Sequence, residues 1–201
     1  MPPHIVRSLD INNYVTLPTT MTYYERHLPH WQPAGKDVFV TWRLHGSLPP
    51  NTRILASSDR SPSAGKRFRA FDQTLDRADV GPLWLKDSRI AECLVAALQR
   101  SQAQELFRLH AYVVMANHVH VLFAPTRSLP EITQALKGAT ARQANKILGR
   151  TGTRFWQDES FDRWIRNSSE WNRVRAYIEH NPVSAGLVKY PADWPWSSAT
   201  K

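Results

Sequence analysis

The 201-residue sequence predicts an α+β fold of the ferredoxin-like split βαβ (RRM-like) type, an antiparallel sheet with helices on one face and a C-terminal helix that bears a tyrosine. Three observations predict it. Strand-like runs at 37–46 and 155–167 bracket the rest of the domain. Two further apolar runs, LFRLHAYVVM and HVHVLFAP, are parted only by Ala116 and Asn117, which is a hairpin signal. Helical periodicity fills the gaps, so the order reads strand, helix, strand, strand, helix, strand, helix. Such a sheet leaves one face partly free for a ligand.

The elements follow in order. Residues 1–36 are polar and proline-punctuated and read as an N-terminal arm docking onto the domain. DVFVTWRLHG (37–46) alternates Val38, Val40 and Trp42 against Phe39 and Thr41. Residues 47–86 hold Pro, Ser, Gly and the basic patch GKRFRAF, and read as a long loop, functional or mobile. In 87–102, Ile90, Cys93, Leu94, Ala97 and Leu98 keep helical spacing, so Cys93 is expected to face the core. The helix over 128–149 opens with Ser128 and Glu131 at capping-box spacing and ends at Gly149. The helix over 168–182 is expected to stop near Asn181, because Pro182 disfavours helical geometry at the residue before it. The domain is therefore expected at 37–182, with 183–201 as a Trp/Pro-rich strap.

The chain is basic, with 26 Lys+Arg against 17 Asp+Glu and a net charge of +9. That balance favours a polyanionic partner, nucleic acid ahead of a membrane surface. No apolar run approaches the roughly 18 residues of a membrane span. The first residues lack a signal-peptide core, and the single cysteine supports neither a disulfide framework nor a cysteine zinc site. A soluble, intracellular protein is expected.

Residues two apart on a strand share a face, so His118 and His120 present parallel imidazoles about 7 Å apart. That suits two ligands on one divalent metal; the plainer alternative is two histidines on a solvent-facing sheet surface. Tyr177 and Asn181 are four apart on the last helix and also share a face. An Asn181 amide oxygen suits Mg²⁺ or Mn²⁺. The Tyr177 phenol could attack phosphorus, but its ordinary pKa of about 10 calls for a nearby cation or base. Lys137, Arg142, Lys146, Arg150, Arg154, Arg163, Arg166, Arg173 and Arg175 are opposed over the same stretch only by Asp158, Glu159, Asp162 and Glu170. Phe155, Trp156, Phe161 and Trp164 interleave with them. Bases of single strands stack on such rings while cations follow the phosphates. The alternative is a solvated surface around core tryptophans.

YVVMANHVHVL, RAYIEHNPVSAGLV and WPWSS, in this order, closely resemble the REP-associated tyrosine transposases, relatives of the single-strand transposases with a His-hydrophobe-His (HUH) motif. RFWQDESFDRWIR and LKGATARQANKILGRTG belong to the resemblance, which covers most of the chain. It implies that His118, His120 and Asn181 bind Mg²⁺ or Mn²⁺ and that Tyr177 is the nucleophile. It implies a metal-dependent single-stranded DNA endonuclease and strand-transferase that acts on palindromic hairpin repeats through a 5′-phosphotyrosine. The DNA-binding side chains would be Lys137, Arg142, Lys146, Arg150, Arg154, Trp156, Arg163, Arg166 and Arg173. A cytoplasmic, nucleoid-associated monomer or homodimer would follow. Ala116 departs from the pattern, since many relatives carry proline before Asn-His; this loosens the turn without removing a ligand. Three rivals are a non-catalytic RRM-like nucleic-acid-binding module, a zinc hydrolase and a fold that has lost catalysis. The RNP aromatic signature is missing, two His plus Asn make a poor zinc set, and the His118, His120, Tyr177 set is intact.

Overall fold

The computed structural model describes residues 35–48 and 64–200, together with the backbone of a short hairpin, β1 (Thr22–Glu25) and β2 (Pro29–Gln32). Most of the expected arm (1–36) and the first part of the expected loop (47–86) lie outside the described residues. The main elements are β3 (Val38–Arg43), α1 (Ala64–Arg77), α2 (Ser88–Ala103), β4 (Phe107–Val114), β5 (His118–Pro125), α3 (Leu129–Ile147), β6 (Phe161–Trp164) and α4 (Ser168–Ser184). The sheet order is β4-β5-β3-β6, with every neighbour antiparallel. This is the split βαβ arrangement the sequence predicts.

Strand alternation decides what each face carries. Val38, Val40 and Trp42 of β3 and Val119, Val121 and Phe123 of β5 join Leu94 and Leu98 of α2 and Leu136 of α3 in one core. The intervening Phe39 and Leu122 join Ala111 and Val113 of β4 and Ile178 of α4 in a second. His118 and His120 therefore point to the α4 side, in register with Arg43 and Thr41. Ser128 and Glu131 form the expected capping box. Ile90, Leu94, Ala97 and Leu98 are buried as expected, but Cys93 is only half-buried, at the edge of that stripe.

Four expectations change. The segment 47–86 is not a loop throughout, since α1 and a 3-10 turn at Trp84–Lys86 lie within it. Helix α1 forms because Phe68, Phe71 and Leu75 recur at helical spacing, which buries Phe68 and Leu75 on the sheet. The second face is thus covered by α4 and α1 rather than left partly free. The strand expected over 155–167 shortens to β6 plus a bridge from Trp156 to Leu44. The Lys137 ammonium donates to the Gln157 and Asp158 carbonyls at 2.6 and 2.7 Å, so that backbone pairs with a side chain instead of a ladder. Helix α4 runs past Asn181 to Ser184, because proline in the last turn removes a single bond before the helix ends anyway.

The C-terminal segment packs along the exposed edge of β4. Val114 N–H donates to the Trp196 carbonyl at 2.8 Å, Tyr112 N–H to the Ser198 hydroxyl, and the Trp194 indole N–H to the Val114 carbonyl. These bonds satisfy an edge that would otherwise be open to another strand.

Helix α4 is fixed at its start by Glu170, which is buried. Its carboxylate accepts from the Arg163 guanidinium at 2.7 and 2.9 Å and from Arg166 N–H at 3.0 Å. Burial alone would raise its pKa, but these donors hold it below the ordinary glutamate value. Glu170→Ala leaves Arg163 without its partner. It is expected to cost about 3 kcal/mol in urea unfolding, the lower end for breaking a buried pair, because Arg163 is partly exposed.

Candidate metal centre and tyrosine site

The site lies between β5, α1 and α4. His118 and His120 are both fully buried, and β5 aims them at Asp72 of α1, which is 1% exposed. His120 Nε2 lies 3.2 Å from Asp72 Oδ2. His118 Nε2 lies 3.7 Å from Asp72 Oδ1 and 3.7 Å from Asp76 Oδ1. The ligand-type atoms of Asp72, His118 and His120 all fall within 4.8 Å of one another. From α4, the Tyr177 hydroxyl donates to Asp72 Oδ2, and Asn181 Nδ2 donates to the same oxygen at 3.2 Å.

The backs of both imidazoles are held. Asn117 Nδ2 donates to the Leu75 carbonyl at 3.0 Å, which leaves Asn117 Oδ1 to accept from His118 Nδ1 at 2.7 Å. That fixes the His118 tautomer with a bare lone pair on Nε2, facing the carboxylates. His120 Nδ1 bonds Thr41 Oγ1, its neighbour across the β3–β5 ladder, at 2.7 Å.

The electrostatics are those of a site short of positive charge. Burial drives His118 down to about 3, against the pull of Asp72, so its imidazole is neutral. Burial would raise Asp72, but His120, His118 and the Tyr177 hydroxyl outweigh it and hold the carboxyl down, at about 2. Asp76 is pushed up to about 7, by burial first and then by the charge of Asp72. Tyr177 is raised well above an ordinary phenol, by burial, then by the charge and hydrogen bond of Asp72, then by Asp76, with Asn181 acting in the opposite sense.

Four buried polar atoms here have no hydrogen-bond partner: Asp72 Oδ1, Asp76 Oδ1, His118 Nε2 and Asn181 Oδ1. Unpaired buried polar atoms are costly, and here they share one neighbourhood and are lone-pair donors. Two imidazoles with a carboxylate fit a divalent cation. A zinc centre, set aside when Asn181 was the expected third ligand, meets no objection of donor type once Asp72 is present.

The structure thus brings together His118, His120, Tyr177 and Asn181, and adds Asp72, Asp76, Thr41 and Asn117. Asp72 escapes a sequence reading because its helix is set in a Pro/Ser/Gly-rich stretch. The signal was the Phe68, Phe71, Leu75 spacing with Asp72 and Asp76 four apart beside it. The expected DNA-binding residues are dispersed. Lys137, Arg142 and Lys146 are on α3, which covers the opposite face of the sheet. Arg150 lies 3.9 Å over the Trp84 ring, away from the histidines. Arg154 pairs with Asp158, and Arg163 and Arg166 with Glu170. Arg173, exposed on α4, donates to Ser169. Trp156 is corrected: it is 5% exposed, edge-on to Trp42, with its indole N–H given to Thr140, and so is a core ring rather than a stacking platform.

The split βαβ sheet thus carries a buried His-x-His pair on a central strand, facing a tyrosine on the last helix, and with that geometry stand three comparisons with known proteins. Residues 83–181 match the family model described as Transposase IS200 like. Over 93 residues the chain is 29% identical to the REP-associated tyrosine transposase of Escherichia coli (strain K12), covering 46% of this chain and 54% of that protein. The chain thus spans about half the length of that relative. A solved structure of a REP-associated tyrosine transposase bound to a REP hairpin shares the fold, with a TM-score of 0.51 and 21% identity over 89% of this chain and 82% of that one. Over residues 83–181 the chain is thus similar to the IS200-like transposases. Its particular likeness is to the REP-associated tyrosine transposases. Helix α1, with Asp72 and Asp76, precedes the segment that the family model matches. Among the described residues, no helix is long and apolar enough to cross a membrane.

Proposed function

We propose that this protein is a metal-dependent endonuclease and strand-transferase of single-stranded DNA, with palindromic hairpins as its substrate class. The observation that carries the reading is the Tyr177 hydroxyl seated on the carboxylate that also faces both histidines. His118, His120 and Asp72 would hold the ion, with Asn181 beside them; Mg²⁺ or Mn²⁺ is the expected cofactor. Bound there, the cation would neutralise charge on the scissile phosphate and align it.

The chain's own groups supply the rest. Tyr177 is held protonated by burial and by the two carboxylates. Neutralising those carboxylates removes two of the causes that keep the proton on, and the phenol proton leaves to solvent as the oxygen attacks. The phenolate oxygen attacks phosphorus and a Tyr–O–P bond forms. The bond from phosphorus to the 3′-oxygen breaks, and that oxygen takes a proton and leaves as a 3′-hydroxyl. The other fragment stays on Tyr177 as a 5′-phosphotyrosine. Attack by a 3′-hydroxyl reverses the step, so rejoining needs no ATP. The REP hairpin carried by the solved relative supports a hairpin substrate here.

Labelled DNA tests the reading. Single-stranded hairpins from the gene's own genomic surroundings are expected to be cut, and perfect duplex of the same sequence is not. Binding is expected to weaken steeply between about 50 and 200 mM salt, as counterion release requires. Equal cutting of blunt duplex would refute the substrate class.

A further inference from the structure

We infer that Asp76 is a fourth protein ligand of the ion, so that helix α1 grips the metal with two carboxylates one turn apart. The inference rests on the metal-dependent reading above and deepens it. Asp72 and Asp76 are four apart on α1, so both project from one face. His118 Nε2 is equidistant from them, 3.7 Å from each Oδ1. That is too long for a hydrogen bond. It is a natural separation for two atoms bound to one cation, since ligands about 2.1 Å from a shared ion lie no more than about 4.2 Å apart.

The same geometry disposes of the alternative, that Asp76 is a surface carboxylate with a chance neighbour. Its side chain is 14% exposed, and its Oδ1 is buried without a hydrogen-bond partner. Asn181, which is 2% exposed, has its own unpartnered oxygen in the same cluster. Two carboxylates that both face His118 Nε2 repel each other, and a cation between them reverses the sign of that interaction. The ion would then tie α1 to β5. Helix α1 presents Phe68 to Phe39, Phe161 and Tyr177 on its inner side, so the tie also sets how firmly the tyrosine is packed.

The test uses the full-length protein and Mn²⁺ alone. Binding is measured by calorimetry and by the electron paramagnetic resonance of the bound ion, for the wild type, Asp76→Asn and Asp79→Asn, the last being an exposed neighbour on the loop after α1. Asp76→Asn keeps the shape and removes a buried charge, and circular dichroism without metal should show it folded. It is expected to weaken Mn²⁺ binding about tenfold or more, while Asp79→Asn leaves it unchanged. Hydrogen exchange adds an independent readout: Mn²⁺ should slow the amides of residues 65–77 in the wild type, and much less in Asp76→Asn. An unchanged Mn²⁺ affinity in Asp76→Asn beside a wild type that binds would overturn the ligand role and leave the metal reading standing. A wild type that binds no Mn²⁺ would overturn both.

Discussion

Tyr177→Phe is expected to fold, to bind hairpin DNA as well as the wild type does, and to form no denaturation-resistant protein–DNA adduct. The ring stays, and with it the edge-on contacts to Phe39 and Phe68. What goes is one oxygen. Its loss frees one acceptor site on Asp72, whose Oδ2 keeps its contacts with His120 and Asn181. The stability change should therefore stay near the ordinary value of one hydrogen bond, about 1 kcal/mol. The loss of the adduct should be complete, because the neighbours of Tyr177 on its face of α4, Val174, Ile178 and Asn181, bring no hydroxyl. Denaturing gels with labelled hairpin DNA, run beside urea unfolding of both proteins, check the two halves of this expectation together.

His118→Ala and His120→Ala are expected to lower cleavage by about a thousandfold or more, the size of effect that several kcal/mol of charge stabilisation by a bound metal implies. DNA affinity should fall little, since it rests mainly on phosphate contacts elsewhere. A chelator should stop the wild type, and Mg²⁺ or Mn²⁺ should restore it. The two variants should differ in stability. His118 is held by Asn117, whose amide ties β5 to α1 through the Leu75 carbonyl. His120 stacks on Phe39 and meets Thr41 across the ladder, so its removal opens a cavity in the second core. Cleavage that survives excess chelator would refute the metal assignment for either histidine.

The sheet was readable because its strands and helices carry strong periodicity. Val119, Val121 and Phe123 alternate against His118 and His120, and the capping box at Ser128 announces α3. The pairing of His118 with His120 and of Tyr177 with Asn181 follows from strand and helix geometry alone. Helix α1 was not readable, because its apolar spacing spans only Phe68 to Leu75 and sits beside a stretch whose composition resembles a loop. Asp72 and Asp76 went with it, and Asp72 is the acid that completes the cluster with His118 and His120. Trp156 was misplaced for a different reason. Sequence shows an aromatic beside charges, and only the long-range contacts with Trp42 and Thr140 show that it faces inward. Pro182 marked a real helix end, but the position rule is softer in a last turn than in a helix interior.

The most direct test of the central claim is to locate the covalent bond. Wild-type protein is incubated with Mn²⁺ and 3′-labelled single-stranded hairpin DNA, denatured, digested with protease and nuclease, and the nucleotide-bearing peptide is sequenced by mass spectrometry. Tyr177 is one of six tyrosines in the chain. Tyr112 is buried in the core on the α2 and α3 side of the sheet, and Tyr190 is 56% exposed on the C-terminal segment, so neither is placed to reach the histidines. A single modified residue is expected, Tyr177, joined to the 5′-phosphate of the downstream fragment. A nucleotide on Tyr14, Tyr23, Tyr24, Tyr112 or Tyr190, or cleavage that proceeds with no tyrosine modified, would contradict it.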